Sequence, residues 1–222
     1  MKNILIIYIL FVCAFNLSAQ VVNVEKGDVL VVNGVKGIVF SVDESGCHGT
    51  MMSLKAFRGE DNLFCSKTSL LKQLSMESTT DGIANTQELF SFISANNIDI
   101  EYFPVFNWCK TLGSGWYIPA IEQLKAFVNF WLGNEDLEVD WDEDELVQLN
   151  NDDAMPHTKK INNIIMKEGG IPFLNGVFSS TLSKNKKIDV FNYNKADGSW
   201  TFSSKNPKRI DKYSVGRAFY DF

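Results

Sequence analysis

The stretch WYIPAIEQLKAFVNFWLG, residues 116–133, carries the clearest helix signal in the chain. Pro119 suits the first turn of a helix, because a helix start leaves its amide hydrogens unpaired and proline has none. The apolar residues that follow recur at helical spacing and therefore share one face. They are Ile121, Leu124, Phe127, Val128 and Trp131. We expect a helix that begins at Pro119 and packs this face into the core.

Two further helices are predicted around this one. Asn85 offers an N-cap, with Glu88 three residues later, and a short apolar stretch at 106–112 stops at Gly113, a natural C-cap. A dense acidic run within residues 134–153 is interpreted as an insertion. A further helix is expected after it, with Ile161, Ile164 and Ile165 on one side.

Strand patterns lie on both sides of the helical region. Residues 29–32, 37–42 and 49–54 are rich in β-branched side chains and separated by turn residues such as Asn33-Gly34. Residues 177–182, 188–193, 199–203 and 213–220 repeat the pattern, and Ser179 to Thr181 suggest a half-buried strand. Residues 58–84 are interpreted as a surface loop. Strands, helices, then strands predict an α+β fold with an antiparallel sheet, two main helices and an acidic insertion.

The N-terminus predicts export. Lys2 precedes an apolar stretch at residues 4–15, and Leu17-Ser18-Ala19 offers small residues for cleavage, as in a secretory signal peptide. The apolar stretch is shorter than the ~20 residues that cross a bilayer, and no later segment comes close to that length. We therefore expect a signal peptide at 1–19, a single domain at 20–222, and no transmembrane segment after cleavage. The expected location is periplasmic, cell-surface or secreted.

The charge of the chain disfavours one class of partner, and its cysteine content limits the disulfides. The net charge is −6, and the cationic clusters are short, which disfavours nucleic acid as a partner. Signal cleavage removes Cys13, and the mature chain keeps Cys47, Cys65 and Cys109, an odd number. At most one bridge then forms within a monomer, and the pairing stays open. Cys109 fits a small buried hydrophobe on a helix.

Metal ligands are also incomplete in the sequence. Asp140, Asp142 and Asp144 open an EF-hand pattern, but its glycine and final glutamate positions hold Glu145 and Asn151. His48 and His157 have no second ligand at zinc spacing. We expect no metal and no cofactor.

Four short motifs together resemble one family. They are GIVFSVD with Gly46 and His48-Gly49 (37–49), WYIPA (116–120), FSST (178–181) and GRAF (216–219). In this order they resemble the Lcl C-terminal-type domains of unknown function, which occur in exported bacterial proteins and have a C-type-lectin-like fold. The resemblance covers about residues 30–222 and implies that fold. The calcium-dependent sugar motifs of lectins are missing here. Trp116 and Phe178 are interpreted as core residues.

The expected function is non-catalytic binding of a glycan, a peptide or a surface protein. No nucleophile elbow or phosphate loop occurs, and Cys109 with either histidine is only a compositional possibility for a dyad. By the resemblance, the late hairpin is the candidate binding site, through Asn192, Tyr193, Asn194, Asp197 and Trp200. The alternatives are a structural component of a surface fibre, which predicts a bare strand edge, and a hydrolase, which requires a polar cleft.

Overall fold

The computed structural model describes residues 23–58, 64–133, 151–173, 176–194, 199–207 and 214–222, and it contains strands, then helices, then strands. In chain order the elements are β1 Val29–Val32, β2 Val35–Val42, β3 Gly49–Ser53, α1 Gly82–Ala95, α2 Pro104–Thr111, α3 Ile121–Leu132, α4 Asn151–Lys167, β4 Val177–Leu182, β5 Ile188–Asn194, β6 Ser199–Lys205 and β7 Phe219–Asp221. Short 3₁₀ helices occupy Thr68–Gln73 and Ile100–Tyr102. The predicted α+β class with antiparallel strand pairing is confirmed.

The strands form two sheets, instead of the one antiparallel sheet expected from the sequence. One has the order β1-β2-β3-β7, and the other has the order β4-β5-β6. A two-residue turn joins β1 to β2, with Asn33 and Gly34 both at positive φ, as a tight hairpin of this length requires. The β5–β6 hairpin pairs Asn194 with Ser199.

The first sheet lies between two apolar clusters because its side chains alternate between faces. Val35, Val39 and Met51 point to the side of α1 and α2. Ile38 and Phe40 point to the side of α3 and α4, where the Phe40 and Phe127 rings meet edge to face at 5.3 Å. The apolar stripe predicted for α3 is buried there, so the helix that the sequence marks most clearly holds one face of the sheet.

Helix α3 starts two residues later than predicted, at Ile121. The helix start is stabilised by Gln123 and not by Pro119. The side-chain oxygen of Gln123 accepts hydrogen bonds from the backbone amides of Ala120 and Gly82, each at 3.0 Å. The side chain of Gln123 thus caps the N-terminus of α3 and also binds the first residue of α1.

Helix α1 begins earlier than predicted. Asp81 is the N-cap, and its carboxylate accepts a hydrogen bond from the amide of Ala84 at 2.8 Å. Asn85, the predicted cap, is buried inside the helix and donates to the Ser180 hydroxyl at 3.1 Å. The N-cap predicted at Asn85 is therefore one turn too late, because the Asn85 side chain makes a tertiary contact with Ser180 instead.

The prediction of a surface loop at 58–84 is wrong for the described residues. Phe64, Cys65, Leu70, Leu71, Leu74 and Met76 are all buried in the cluster beneath α1 and α2. The leucines lie on or next to the 3₁₀ helix at Thr68–Gln73. This helix is short and its other residues are polar, so the sequence shows no clear helical pattern there. This segment is part of the core.

Strand β4 is buried at all six residues, instead of on alternate residues as predicted. It lies between the two clusters, with Phe178 on one side and Val177 on the other. Its hydroxyl groups stay satisfied, because Thr181 accepts from the amide of Ile121 at 3.0 Å and donates to the carbonyl of Ser78 at 2.8 Å.

Two further predictions need correction. Of the described residues predicted as the last strand within 213–220, only Phe219 and Tyr220 belong to β7, which continues to Asp221. Helix α4 does not belong to a peripheral insertion, since Ile161 and Ile165 pack into the core beside Phe173. The described chain has four α-helices, one at each of the four stretches with a helical pattern, whereas the predicted fold has two main helices. The acidic residues 134–150 lie outside the described residues.

Candidate functional site: an open strand and a neighbouring cleft

The predicted hairpin site is described at only one side chain. The Asn192 amide donates to the Val190 carbonyl at 3.0 Å and to the Ser203 hydroxyl at 3.2 Å, and its oxygen accepts from Lys205 at 2.9 Å. Asp197 and the side chains of Tyr193, Asn194 and Trp200 lie outside the described residues. The side chain of Asn192 is therefore already engaged within the sheet.

The candidate metal and catalytic residues are dispersed. His48 is exposed in the β2–β3 turn, and His157 lies on α4, where Nδ1 is 3.3 Å from the Trp131 carbonyl oxygen. Within the described ranges no three His, Cys, Asp or Glu side chains cluster as metal ligands do. The EF-hand-like aspartates Asp140, Asp142 and Asp144 fall outside those ranges.

Cys47, Cys65 and Cys109 are free thiols. Cys109 is buried on α2, as predicted, and burial raises its pKa to about 12. Burial likewise raises the pKa of Cys65 to about 11, whereas Cys47 is exposed. A thiol with so high a pKa is almost entirely protonated at neutral pH, so neither buried cysteine is an activated nucleophile.

Arg217 of the GRAF motif is a structural residue. It is fully buried, and its guanidinium donates to the carbonyl oxygens of Ile171 at 2.6 Å, Pro172 at 3.1 Å and Leu54 at 3.3 Å. Burial, with a smaller contribution from Arg58, lowers its pKa to about 9. These bonds hold the chain before β7 against β3 and the segment after α4.

One edge of the first sheet, β7, is covered. Tyr117 and Phe219 exchange backbone hydrogen bonds, the amide of each donating to the carbonyl of the other, at 3.0 and 2.8 Å. The Tyr117 hydroxyl donates to the Asp221 carboxylate at 2.7 Å and accepts from Gln123 at 3.0 Å. The WYIPA segment therefore closes this edge.

The opposite edge, β1, is open in the described chain. Its pairing with β2 runs from Val29 opposite Ile38 to Val32 opposite Val35. A two-residue hairpin closes on a hydrogen-bonded pair, so Val32 and Leu30 direct their backbone groups to β2. Val29 and Val31 consequently direct theirs away from the sheet, and no described residue pairs with them.

The side chains of β1 suit pairing with another strand. Its sequence is VLVV, without a charged residue, and Val31 is 60% exposed. Natural sheet edges are usually protected by lysine, proline or a bulge, because a long apolar edge is a template for strand addition. Strand β6 follows that rule: no described strand covers its outer side, but it is rich in hydroxyl side chains and ends in Lys205.

A cleft of about 430 Å³ lies beside the β1–β2 turn. One wall is α1, with Phe90 and Gln87, and the other is the segment from Lys110 to Tyr117. The Asn33 side chain of the turn donates to the Ser114 carbonyl at 3.2 Å, so the turn touches the rim of the cleft.

Glycine is required in the wall of this cleft. Gly115 has a φ of +87°, and a Cβ there would lie 2.5 Å from the ring of Tyr220. The indole Nε1 of Trp116, also on the wall, is buried and has no hydrogen-bond partner in the described chain. The cleft thus combines apolar walls with the exposed cation of Lys110.

Sequence reasoning missed both features. The sequence predicts a strand at VLVV before Asn33-Gly34, and the lack of charge in this run is a usable signal for an unprotected edge. The cleft had a weaker signal in Gly113-Ser114-Gly115, where only a helix C-cap was predicted at Gly113.

Comparisons with known proteins define no family. No family model and no curated protein matches the chain. Among solved structures it is similar to a fimbrial protein from Bacteroides ovatus ATCC 8483, at 18% identity and a TM-score of 0.46. The match covers 78% of this chain and 36% of that structure, so the chain spans about a third of its length. This likeness is too weak to support a function. No helix in the described part of the chain is long and apolar enough to cross a bilayer.

Proposed function

We propose that this protein is an exported, non-catalytic structural component that binds another protein by strand addition at β1. The observation that carries the proposal is the uncharged edge of β1, where Val29 and Val31 direct backbone groups outward and Val31 is 60% exposed. An added strand satisfies such groups through main-chain hydrogen bonds. The proposal therefore favours the structural component of a surface fibre over a glycan-binding protein or a hydrolase.

Export is part of the proposal and is supported by the signal-like pattern of residues 1–19. Single-domain organisation and the C-type-lectin-like fold also remain parts of it. The resemblance is supported by packing between its motifs: Tyr117 pairs with Phe219, and the amide of Ser180 donates to the Pro119 carbonyl at 2.7 Å. Intact mass of the exported product should give a chain that starts near Gln20.

Site-specific photo-crosslinking tests the strand-addition surface. A photoreactive phenylalanine at position 31, in the full chain expressed in an exporting host, should give a discrete adduct of higher mass. The matched control is the same substitution at Tyr102, which is also an exposed apolar side chain but lies on a 3₁₀ helix.

A second substitution tells pairing from mere proximity. Leu30→Lys adds a charge to the edge strand and should abolish the adduct. Because Leu30 is half-buried against the core, thermal melting has to show that this variant is folded. Equal crosslinking from positions 31 and 102, or an adduct that survives the charge, would contradict strand addition.

A further inference from the structure

The open edge of β1 continues, at its N-terminal end, into a turn that carries carboxylates. The amide of Gly27 donates to the Val39 carbonyl, and the amide of Val39 donates to the Asp28 carbonyl, both at 2.8 Å. Residues 27 and 28 thus stay paired with β2 beyond the end of β1. Asp28 therefore lies on the same sheet edge as Val29 and Val31, directly before the strand.

This turn is exposed and acidic. Glu25, Lys26 and Asp28 are all exposed, so two carboxylates accompany one ammonium group. The Asp28 carboxylate accepts a hydrogen bond from the Glu25 amide at 2.9 Å, and the Asp28 amide donates to the Glu25 carbonyl at 3.1 Å. The first bond holds the carboxylate of Asp28 at the end of the strand. A carboxylate has about four acceptor sites, so Asp28 can still accept from a partner.

The charge at the other end of β1 is already neutralised. Val31 lies opposite Lys36 of β2, and the Lys36 ammonium is 2.8 Å from the Glu168 carboxylate. By contrast, no described cation forms an ion pair with Glu25 or Asp28. The edge is therefore an uncharged strand with negative charge at its N-terminal end.

The net charge of the whole chain has the same sign. It is −6, so two copies of the chain repel each other, whereas a cationic protein is attracted. Complementary charge increases the rate of association and suppresses wrong partners. Both the local and the overall charge favour a basic partner over a second copy.

We propose, on the basis of the strand-addition function above, that the partner is a basic protein whose added strand carries a short apolar run followed by Lys or Arg. The apolar run pairs with Val29–Val32, and the basic residue lies opposite Asp28. Side chains directly opposite each other on neighbouring antiparallel strands have Cβ atoms about 4.5–5.5 Å apart, which brings the cation within reach of this carboxylate. The strands of this sheet pair antiparallel, so an antiparallel partner has its basic residue C-terminal to the apolar run.

Selection from a phage-displayed library of random peptides tests this directly. The bait is the mature chain from an exporting host, and the expected peptides carry a β-branched apolar run with Lys or Arg after it. Val31→Pro removes an outward amide hydrogen and should weaken their binding about tenfold. The double variant Glu25→Gln, Asp28→Asn removes both carboxylates and should weaken it roughly three- to fivefold. Binding to this double variant should also depend less on salt concentration than binding to the unmodified chain.

Two further variants control the experiment. Asp99→Asn makes the same change at an exposed aspartate that also accepts from a backbone amide, that of Glu101 at 2.9 Å, but lies outside the sheet. It should leave binding unchanged. Val31→Lys stands in for Val31→Pro should proline unfold the chain, which thermal melting reports.

The outcomes separate the two proposals. Basic peptides that weaken with Val31→Pro and with the double variant, but not with Asp99→Asn, support the basic partner. Peptides that depend on Val31 but bind the double variant unchanged overturn the basic partner and leave strand addition standing. Peptides that do not depend on Val31, or no enriched peptides at all, overturn both. Self-association of the free chain, abolished by Val31→Lys, would overturn the assignment of a different, basic protein as partner.

Discussion

The two edges of the first sheet differ in whether their outward backbone groups are paired. At β7, Tyr117 pairs with Phe219 through the backbone and binds Asp221 through its hydroxyl. At β1, the backbone N–H and C=O groups of Val29 and Val31 point away from β2, and no described residue pairs with them. One edge is thus closed by the chain's own motif, whereas the other presents unpaired backbone groups. A protein that covers one edge and leaves an uncharged one open has a surface suited to a partner strand.

Proline substitution gives the largest expected contrast within β1. Leu30→Pro removes an amide that pairs with β2 and should lower the free energy of unfolding by about 3 kcal/mol. Val31→Pro removes only an outward amide and should cost less than about 1 kcal/mol. Urea denaturation of the two variants measures the difference. Equal losses would mean that both sides of β1 are paired, and the edge would not be open.

The covered edge is tested by Tyr117→Phe. Loss of the hydroxyl removes bonds to Asp221 and Gln123, at 2.7 and 3.0 Å, and should lower the free energy of unfolding by roughly 1–2 kcal/mol. The control is Tyr220→Phe, because this half-buried tyrosine has no described hydroxyl bond. Similar losses from the two variants would show that the hydroxyl network does not hold β7.

Alkaline titration sharpens the same comparison. Burial, followed by the nearby Asp221 carboxylate, raises the pKa of Tyr117 above its ordinary value of 10.0. The folded state therefore holds this proton longer than the unfolded state, so its contribution is complete below pH 10 and falls as the pH rises further.

The expected loss is up to about 1.4 kcal/mol per pH unit above 10. Tyr117→Phe should flatten this part of the stability curve. The buried Cys65 and Cys109 act in the same direction and are common to both proteins, so the difference isolates the tyrosine. Parallel curves for the two proteins would contradict the prediction.

Amide hydrogen exchange gives the smallest and least invasive contrast. The amides of Val29 and Val31 should exchange quickly, because nothing described accepts their hydrogens, whereas Leu30 and Val32 should be protected by β2. Both amides of the Tyr117–Phe219 pair should be slow. Protection of Val31 in the dilute free protein would show that its edge is already occupied.

Several regions follow from local sequence. The strands Val29–Val32 and Val177–Leu182 have the predicted bounds, and the Asn33-Gly34 turn lies where its residues require. The apolar stripe of α3 packs into the core as its spacing predicts. These features depend on residues close together in the chain, where side-chain period and turn chemistry act directly.

The failures arise where distant residues meet. Asn85 has the chemistry of a helix cap, yet it is buried against Ser180, and the polar-looking segment at Thr68–Gln73 contributes buried leucines. The serines of β4 look like an exposed face but lie between two apolar clusters. Local pattern cannot report such contacts, because the partners are far apart in the sequence, 95 residues for Asn85 and Ser180.

The sequence by itself determined an α+β chain with a signal-like N-terminus, a β1–β2 hairpin and a strongly amphipathic α3. Only the tertiary structure decided which strands are edges, because an edge is defined by the absence of a neighbour and neighbours come from sheet order. The same holds for the cleft, whose two walls, α1 and Gly113–Tyr117, are distant in the sequence. The side chains of β1 could be read in advance, but their exposure depends on what the rest of the fold leaves uncovered.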